Sequence, residues 1–178
     1  MTLQPKVVIR DAKDSEKEQL WAVLLEAYRQ YADVIPDKWE AYRQNIYDSV
    51  YQDGALARIV AEIDGQIIGS ALLYDSADSA YGNPDIVIPS PVMRLLAVSP
   101  RVRGKGIAAL LVKEIIERAR SLGADSLHLH TSDMMAAAIK LYERLGFQRA
   151  YETDTHNGST LVKGYRIEIK RADYPLEA

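Results

Sequence analysis

The residues best suited to bind a charged ligand lie in one short loop that follows an apolar segment. This loop, residues 99–106, carries Arg101, Arg103 and Lys105 among its glycines, and an amphipathic helix is predicted to begin at Ile107. No Ser, Thr, Asp or Asn immediately precedes that helix to cap its free backbone N–H groups. Cations instead stand at the positive end of the helix dipole, where acidic residues would be expected. The pattern predicts a phosphate-bearing ligand, because free amides at a helix start bind anions.

Two widespread phosphate-binding patterns fit this loop incompletely. A P-loop requires Ser or Thr after its lysine, but Gly106 follows Lys105. A dinucleotide-binding fingerprint requires three glycines, of which Gly104 and Gly106 supply two, while Ala109 occupies the third position. Asp125 stands at about the distance expected for the acidic residue of that fingerprint. The dinucleotide alternative is therefore weakened but stays open.

The loop also resembles the acetyl-CoA-binding motif of the GNAT family of N-acetyltransferases, in the form Arg101-x-x-Gly104-x-Gly106. A second segment, from Ala138 to Phe147, resembles the C-terminal signature of that family, Ala-x-x-Leu-Tyr-x-x-x-Gly-Phe. The two motifs occur in the family's order, and on this basis the chain is identified as a member over about residues 6–170.

The resemblance implies which residues would bind the co-substrate acetyl-CoA. Backbone amides of the loop would hold the pyrophosphate, and main-chain groups of the preceding strand would contact the pantetheine arm. The implied cofactor-binding residues are Leu96, Ala97, Val98, Arg101, Arg103, Gly104, Lys105, Gly106, Ile107 and Ala108. Tyr142 matches the family's tyrosine that points at the coenzyme sulfur, and it is the expected catalytic acid. A phenol with a pKa of about 10 is protonated at neutral pH, as that role requires. No metal is expected.

The general base is not identified by the motifs. Many relatives carry Glu near the position of Arg94 and Asn at the position of Met135. His128 and His130 lie two residues apart on a predicted strand and would share one face. Histidine has a suitable pKa for a base, although ordinary packed histidines are the simpler interpretation, and a water chain is a third alternative. A zinc site formed by this pair with His156 is a weaker hypothesis, because spacing fixes only two ligands.

The implied function is transfer of an acetyl group from acetyl-CoA to a primary amine by direct attack of the amine on the thioester. A small-molecule amine is the expected acceptor, and a peptide or protein amine is the alternative within the class. A non-catalytic acyl-CoA-binding or sensing domain on the same fold is the alternative from another class, because a fold does not fix a function.

Composition limits the other function classes. A net charge of −3 with a pI near 5.7 argues against a dedicated nucleic-acid-binding protein. The absence of cysteine excludes disulfides, thiolate metal sites and a cysteine nucleophile. No apolar run is long enough to span a membrane and no signal peptide is recognised, so the expected location is the cytoplasm. The expected partners include neither nucleic acid nor a membrane, and a homodimer is compatible with the pattern.

The elements that would position these residues predict an α/β fold in one domain over residues 1–178. The resemblance specifies the GNAT fold, with a mixed, mostly antiparallel sheet of about seven strands flanked by helices. Asp64-Gly65 predicts a tight hairpin. Ser15 with Glu18 predicts a capping box for the first helix, and Pro36 is expected in the first turn of the second.

Two further segments are predicted to be loops. Residues 75–91, rich in Ser, Asp, Gly and Pro, are predicted to form a long loop or small insertion. Its acidic residues Asp75, Asp78 and Asp85 would suit a cationic acceptor. A polar segment that includes His156 is predicted to separate the two last strands.

Overall fold

The computed structural model describes residues 5–83 and 86–170. These residues form two compact units. The N-terminal unit contains the chain up to Leu73 and the segment Leu95–Glu114, and the C-terminal unit contains Tyr74–Arg94 and the chain from Ile115 onward. The strands are β1 (Val7–Asp11), β2 (Ala57–Ile63), β3 (Gln66–Tyr74), β4 (Val92–Val98), β5 (Ser126–Thr131), β6 (Gln148–Arg149), β7 (Thr155–Asn157) and β8 (Thr160–Glu168). The helices are α1 (Lys17–Tyr28), α2 (Trp39–Tyr51), α3 (Ala77–Tyr81), α4 (Ile107–Ser121) and α5 (Ala136–Arg144).

The N-terminal unit contains an ordered run of neighbouring strands, β1-β2-β3-β4. Strands β2 and β3 pair antiparallel through the register Ile63↔Gln66. Both residues between them have left-handed backbone, with φ of 50° at Asp64 and 79° at Gly65. Two central residues with positive φ define a type I′ turn, which matches the right-handed twist of the flanking strands. The hairpin predicted from Asp-Gly is therefore confirmed.

The helices of the N-terminal unit begin differently from the sequence prediction. The Ser15–Glu18 capping box is wrong, because a 3₁₀ turn at Asp14–Glu16 precedes α1. In that turn the Glu16 carboxylate accepts the Lys13 backbone N–H at 2.8 Å. The prediction for the second helix is also wrong at its start, because Pro36 lies in a turn before α2.

The interior of the N-terminal unit is aliphatic. Strand β3 is buried along its length after the first residue, as expected for a strand covered on both faces. Helices α1 and α2 pack together, with Leu24 and Val50 fully buried and an edge-to-face contact between Trp21 and Tyr47 at 5.3 Å. Ile107 and Leu111 of α4 are also buried, so the apolar face of the helix that follows the loop packs in the interior.

In the C-terminal unit the strand pairing is mixed. Strand β4 pairs parallel with β5 at Val92↔His128, whereas β5 pairs antiparallel with β8 from Ser126↔Glu168 onward. Strands β6 and β7 each pair antiparallel with β8. The predicted α/β class with a mixed, mostly antiparallel sheet is confirmed, and the described residues contain eight strands where about seven were predicted.

Two segments of the C-terminal unit contain more regular structure than predicted: residues 75–91, predicted as a long loop or small insertion, hold a short helix, and the polar segment that includes His156 holds a hairpin. Within 75–91 the short helix α3 forms because the Ser76 hydroxyl accepts the Ser79 N–H and Gly82 ends the helix with a φ of 61°. Near the C-terminus, β7 and β8 form a hairpin whose two turn residues are Gly158-Ser159, with a φ of 64° at Gly158; glycine at the first central position is typical of a type II′ turn. The polar composition of both segments concealed these local signals.

Helix α4 ends at a glycine with left-handed backbone. Gly123 has a φ of 79°, and its N–H donates to the Arg120 carbonyl at 2.9 Å, which satisfies one of the free carbonyls of the last turn. In the part of the chain that the structure describes, no helix combines the length and apolar character needed to cross a membrane.

Candidate functional site

The predicted phosphate loop lies in the N-terminal unit, between the end of β4 and the start of α4. A 3₁₀ turn at Pro100–Val102 leads into a segment whose cationic side chains are exposed. Gly104 and Gly106 have left-handed backbone, with φ of 79° and 75°, and the space where a Cβ would project is open at both. Ile107 is buried at the start of the helix. The loop thus offers an exposed cationic surface with backbone that a phosphate can approach closely.

Strand β4 contributes the residues expected to contact a pantetheine arm. Leu95 has a φ of 55°, so a non-glycine residue adopts left-handed backbone within the strand. Such a conformation is strained and is a recurring feature of functional sites. The next carbonyl, that of Leu96, accepts the Tyr28 hydroxyl at 2.9 Å. A carbonyl has two lone pairs, so this bond leaves one for a ligand.

The other two main-chain positions of that segment have different surroundings. The Ala97 carbonyl oxygen lies 2.9 Å from where a Cβ would stand on Gly69 of β3, so these two strands approach closely. The Val98 carbonyl accepts the Arg103 Nε–H at 3.4 Å. Of the three residues predicted to offer main-chain contacts, Ala97 therefore has its carbonyl oxygen close to β3. The carbonyls of Leu96 and Val98 accept hydrogen bonds from the side chains of Tyr28 and Arg103, which belong to the same unit.

An acidic residue that the sequence did not indicate anchors the start of the loop. Glu26 of α1 accepts the Ser99 hydroxyl and, at 3.4 Å, the Arg101 Nε–H. The hydrogen bond from Ser99, followed by the charge of Arg101, holds the pKa of the Glu26 carboxyl below its ordinary value. The contact joins residues 73 positions apart, and no local sequence pattern could have revealed it.

Tyr142, the predicted acid, lies in the C-terminal unit. It is the buried residue of α5, and its ring centroid lies 5.7 Å from that of Phe147. The Phe147 backbone N–H donates to the Tyr142 carbonyl at 3.0 Å, which ties the end of α5 to the following segment. The two aromatic residues of the predicted signature are therefore in direct contact.

Arg94, at the position where the family resemblance implies Glu, contacts aromatic rings within the C-terminal unit. Its guanidinium carbon lies 5.7 Å from the ring centroid of Tyr74 and 5.3 Å from that of Tyr81. Its Nη1 donates to the Ala80 carbonyl at 3.0 Å. A cation cannot accept a proton, so this position supplies no general base.

His130 has both ring nitrogens engaged. Nε2 lies 2.7 Å from the Thr153 carbonyl oxygen, which can only accept, so Nε2 carries the hydrogen. Nδ1 therefore accepts the Tyr81 hydroxyl, at 3.0 Å. Burial lowers the pKa of His130 and raises the pKa of Tyr81. Both groups consequently stay neutral at physiological pH.

His128 is also on β5 and is 6% exposed. Burial, with a smaller effect from the charge of Arg166, lowers its pKa to about 4. Its Nδ1 is buried and has no hydrogen-bond partner among the described residues, and the same is true of the Thr131 hydroxyl. Such atoms are costly in a folded protein unless a ligand or water satisfies them.

The remaining candidates are dispersed. His156 is exposed on β7, and within residues 5–83 and 86–170 no three His, Asp or Glu side chains are grouped to hold a metal ion. Asp75 accepts the Ser79 hydroxyl, and Asp78 is exposed in α3. Asp85 lies outside the described residues.

Comparison with known proteins identifies the family. The profile of the acetyltransferase (GNAT) family matches residues 18–147. An uncharacterized N-acetyltransferase of Schizosaccharomyces pombe is 38% identical over 79 residues, which are 44% of this chain and 48% of that protein. N-acetylaspartate synthetase of Danio rerio is 33% identical over 122 residues, which are 66% of this chain and 40% of that protein. The chain thus spans less than half the length of these relatives.

Solved structures show the same fold. An N-acetyltransferase of Thermoplasma acidophilum, solved in complex with coenzyme A, has a TM-score of 0.63 and 19% sequence identity, over 89% of this chain and 98% of that chain. Together with the profile match, this makes the chain a member of the acetyltransferase (GNAT) family. The family and the fold predicted from the two motifs are confirmed.

Proposed function

We propose that the protein is an N-acetyltransferase that moves an acetyl group from acetyl-CoA to a primary amine by direct attack. The main support for this function is the loop between β4 and α4, which has exposed cationic side chains and two glycines with left-handed backbone. The space beside Gly104 and Gly106 is open, so a pyrophosphate would fit against their backbone without a steric conflict. Arg101, Arg103 and Lys105 would add charge attraction to the phosphates.

Acetyl-CoA would supply the activated thioester carbonyl, and the two proton transfers would involve Tyr142 and water. We assign to Tyr142 the role of acid that donates its hydroxyl proton to the departing thiolate. The support for this role is its place in the family signature and its burial. Buried phenols retain their proton, which suits a donor at neutral pH.

Proton removal from the acceptor amine is assigned to water rather than to histidine. His130 already uses its Nδ1 lone pair to accept the Tyr81 hydroxyl. The pKa of His128 is about 4, which is far below that of an aliphatic ammonium, so transfer to its ring would be strongly uphill. The logarithm of kcat/KM should therefore rise with pH up to the pKa of the acceptor amine, with no inflection between pH 6 and 7. An inflection there that disappears in His130→Gln would show that a histidine is the base.

A small-molecule amine is the proposed acceptor. The relative from Danio rerio supports this choice, because its name describes synthesis of an acetylated amino acid. A panel of amino acids, small amines and peptides, followed by the release of free thiol, would test it. Turnover of peptides alone would favour a peptide acetyltransferase.

We also propose that the protein acts in the cytoplasm, which fractionation of cells would test.

The decisive variant is Tyr142→Phe. We expect turnover to fall by about two orders of magnitude, the size of a typical general-acid contribution, while coenzyme binding is retained. A thermal shift on titration with acetyl-CoA measures that binding. If no amine in the panel releases thiol above the rate of hydrolysis although acetyl-CoA stabilises the protein, a non-catalytic acyl-CoA-binding domain would replace the enzyme hypothesis. Absence of any stabilisation would refute both.

A further inference from the structure

An acidic residue of helix α1 contacts the start of the proposed coenzyme-binding loop. Glu26 lies in the last part of α1, and its carboxylate accepts the hydroxyl of Ser99, the residue that ends the apolar run of β4. We propose that Glu26 is a positioning residue for coenzyme A, which holds the loop in its binding conformation through Ser99. This role rests on the proposed function of the loop.

Ser99 is the junction at which the loop is fixed. It is fully buried, and its backbone N–H donates to the Ile68 carbonyl of β3 at 2.8 Å. Its backbone carbonyl accepts the Val102 N–H at 3.1 Å. Its hydroxyl accepts from Arg101, with the backbone N–H at 3.3 Å and the side-chain Nε–H at 3.2 Å. The same hydroxyl donates its one hydrogen to Glu26.

The Ser99 hydroxyl therefore needs Glu26 to keep its orientation. A buried hydroxyl whose hydrogen has lost its acceptor tends to turn toward another one, and the oxygen then no longer faces the Arg101 N–H. That N–H bond caps the 3₁₀ turn that begins the loop. Beyond the turn, Gly104 and Gly106 allow the backbone many conformations. A loop of this kind binds anions tightly only when it is held in place beforehand, because ordering it on binding costs conformational entropy.

A second effect of Glu26 opposes the first. Its negative charge stands near Arg101 and would repel an incoming phosphate. The Arg101 and Glu26 side chains are 66% and 39% exposed and 3.4 Å apart, so their attraction is screened by water and is weak. The bond to fully buried Ser99 is not screened in this way. We therefore expect positioning to outweigh repulsion, and loss of the carboxylate should weaken coenzyme binding rather than strengthen it.

Three variants separate the two effects, with the affinity for coenzyme A measured by isothermal titration calorimetry. Glu26→Ala removes the acceptor and should weaken binding about five- to thirtyfold, in the lower part of the range of about five- to 160-fold that corresponds to an unsatisfied buried donor. Glu26→Gln keeps an acceptor oxygen without the charge and should bind within about threefold of wild type. Glu18→Ala, an exposed position on the same helix, is the matched control and should bind like wild type. Glu26→Met retains side-chain length without a strong acceptor and replaces Glu26→Ala if that variant unfolds.

Two further measurements test the route through Ser99. Ser99→Ala combined with Glu26→Ala should bind no more weakly than Ser99→Ala alone, because the two residues act as one unit. In the absence of coenzyme, hydrogen exchange of the amides in residues 100–106 should be faster in Glu26→Ala than in Glu18→Ala.

The outcomes distinguish this role from the proposed function. If wild type binds coenzyme A and Glu26→Ala binds within twofold of it, Glu26 does not position the loop. Binding by Glu26→Gln more than threefold tighter than that of wild type would show that charge repulsion dominates, and additive losses in the double variant would show that Ser99 is not the intermediary. Each of these three results overturns the role of Glu26 and leaves the function of the loop intact. Failure of wild type to bind coenzyme A refutes the proposed function and this role together.

Discussion

An ion-pair cluster in the N-terminal unit makes its stability sensitive to acid. Arg10 of β1 donates two parallel hydrogen bonds of 2.8 Å to the Glu16 carboxylate, and its Nε donates to Glu62 of β2 at 2.6 Å. The Arg10 and Glu16 side chains are 23% and 12% exposed. The bonds from Arg10, and then the bond from the Lys13 N–H, lower the pKa of Glu16 from 4.5 to about 2. Glu16 is therefore charged in the folded protein under conditions where it is protonated in the unfolded chain.

The size of the effect follows from that difference in pKa. At ~1.4 kcal/mol per pH unit, the interval from 4.5 to about 2 sets a ceiling of ~3.5 kcal/mol. We expect somewhat less than half of this, ~1.5 kcal/mol, because Glu16→Gln retains an acceptor for Lys13 and because charges near the surface are partly screened. Since the folded pKa is the lower one, the contribution is complete above pH 4.5 and is lost as the pH falls toward 2.

The perturbation is Glu16→Gln, and the assay is urea unfolding followed by tryptophan fluorescence at several pH values. The free energy of unfolding should be ~1.5 kcal/mol lower than that of wild type at pH 7, and the two values should converge as the pH is lowered toward 2. Asp14→Asn, an exposed position in the same 3₁₀ turn, controls for a general effect of charge removal and should change stability by less than ~0.5 kcal/mol. A difference that stays constant between pH 7 and pH 3 would show that the charge of Glu16 does not stabilise the folded protein.

Three further predictions concern buried positions. Gly69→Ala should lower the free energy of unfolding in urea by ~1–3 kcal/mol, because the added Cβ would stand 2.9 Å from the Ala97 carbonyl oxygen. An unchanged unfolding midpoint would show that β3 and β4 can move apart without cost. Thr131→Val should leave the free energy of unfolding unchanged or raise it by up to ~1 kcal/mol, because a methyl group replaces a buried hydroxyl that has no partner among the described residues. A loss above ~1 kcal/mol would show that this hydroxyl has a partner. The ring of His128 should titrate near pH 4 by NMR, so stability should fall as the pH drops from 6.5 toward 4; titration near pH 6.5 would contradict its burial.

Much of the fold was predictable because its signals are local. The Asp64-Gly65 turn, strands β4 and β5, and the glycine that ends α4 depend on backbone preferences within a few residues. The two motifs identified the family for the same reason, since each is one continuous segment. Helix α3 and the β7–β8 hairpin also carry local signals, the Ser76 cap and the Gly158-Ser159 turn. The polar composition of both segments nevertheless predicts loops.

The amino-acid sequence was enough to assign the family, the order of the main elements and the loop proposed to bind the donor. Only the tertiary structure revealed that Glu26 holds Ser99, that Tyr28 donates to the Leu96 carbonyl, and that His130 lies between Tyr81 and Thr153. These partners are 73, 68, 49 and 23 residues apart. Backbone preferences act over a few residues, whereas hydrogen bonds between distant side chains form only after the strands and helices have packed. A buried polar group then bonds to whichever partner packing places beside it.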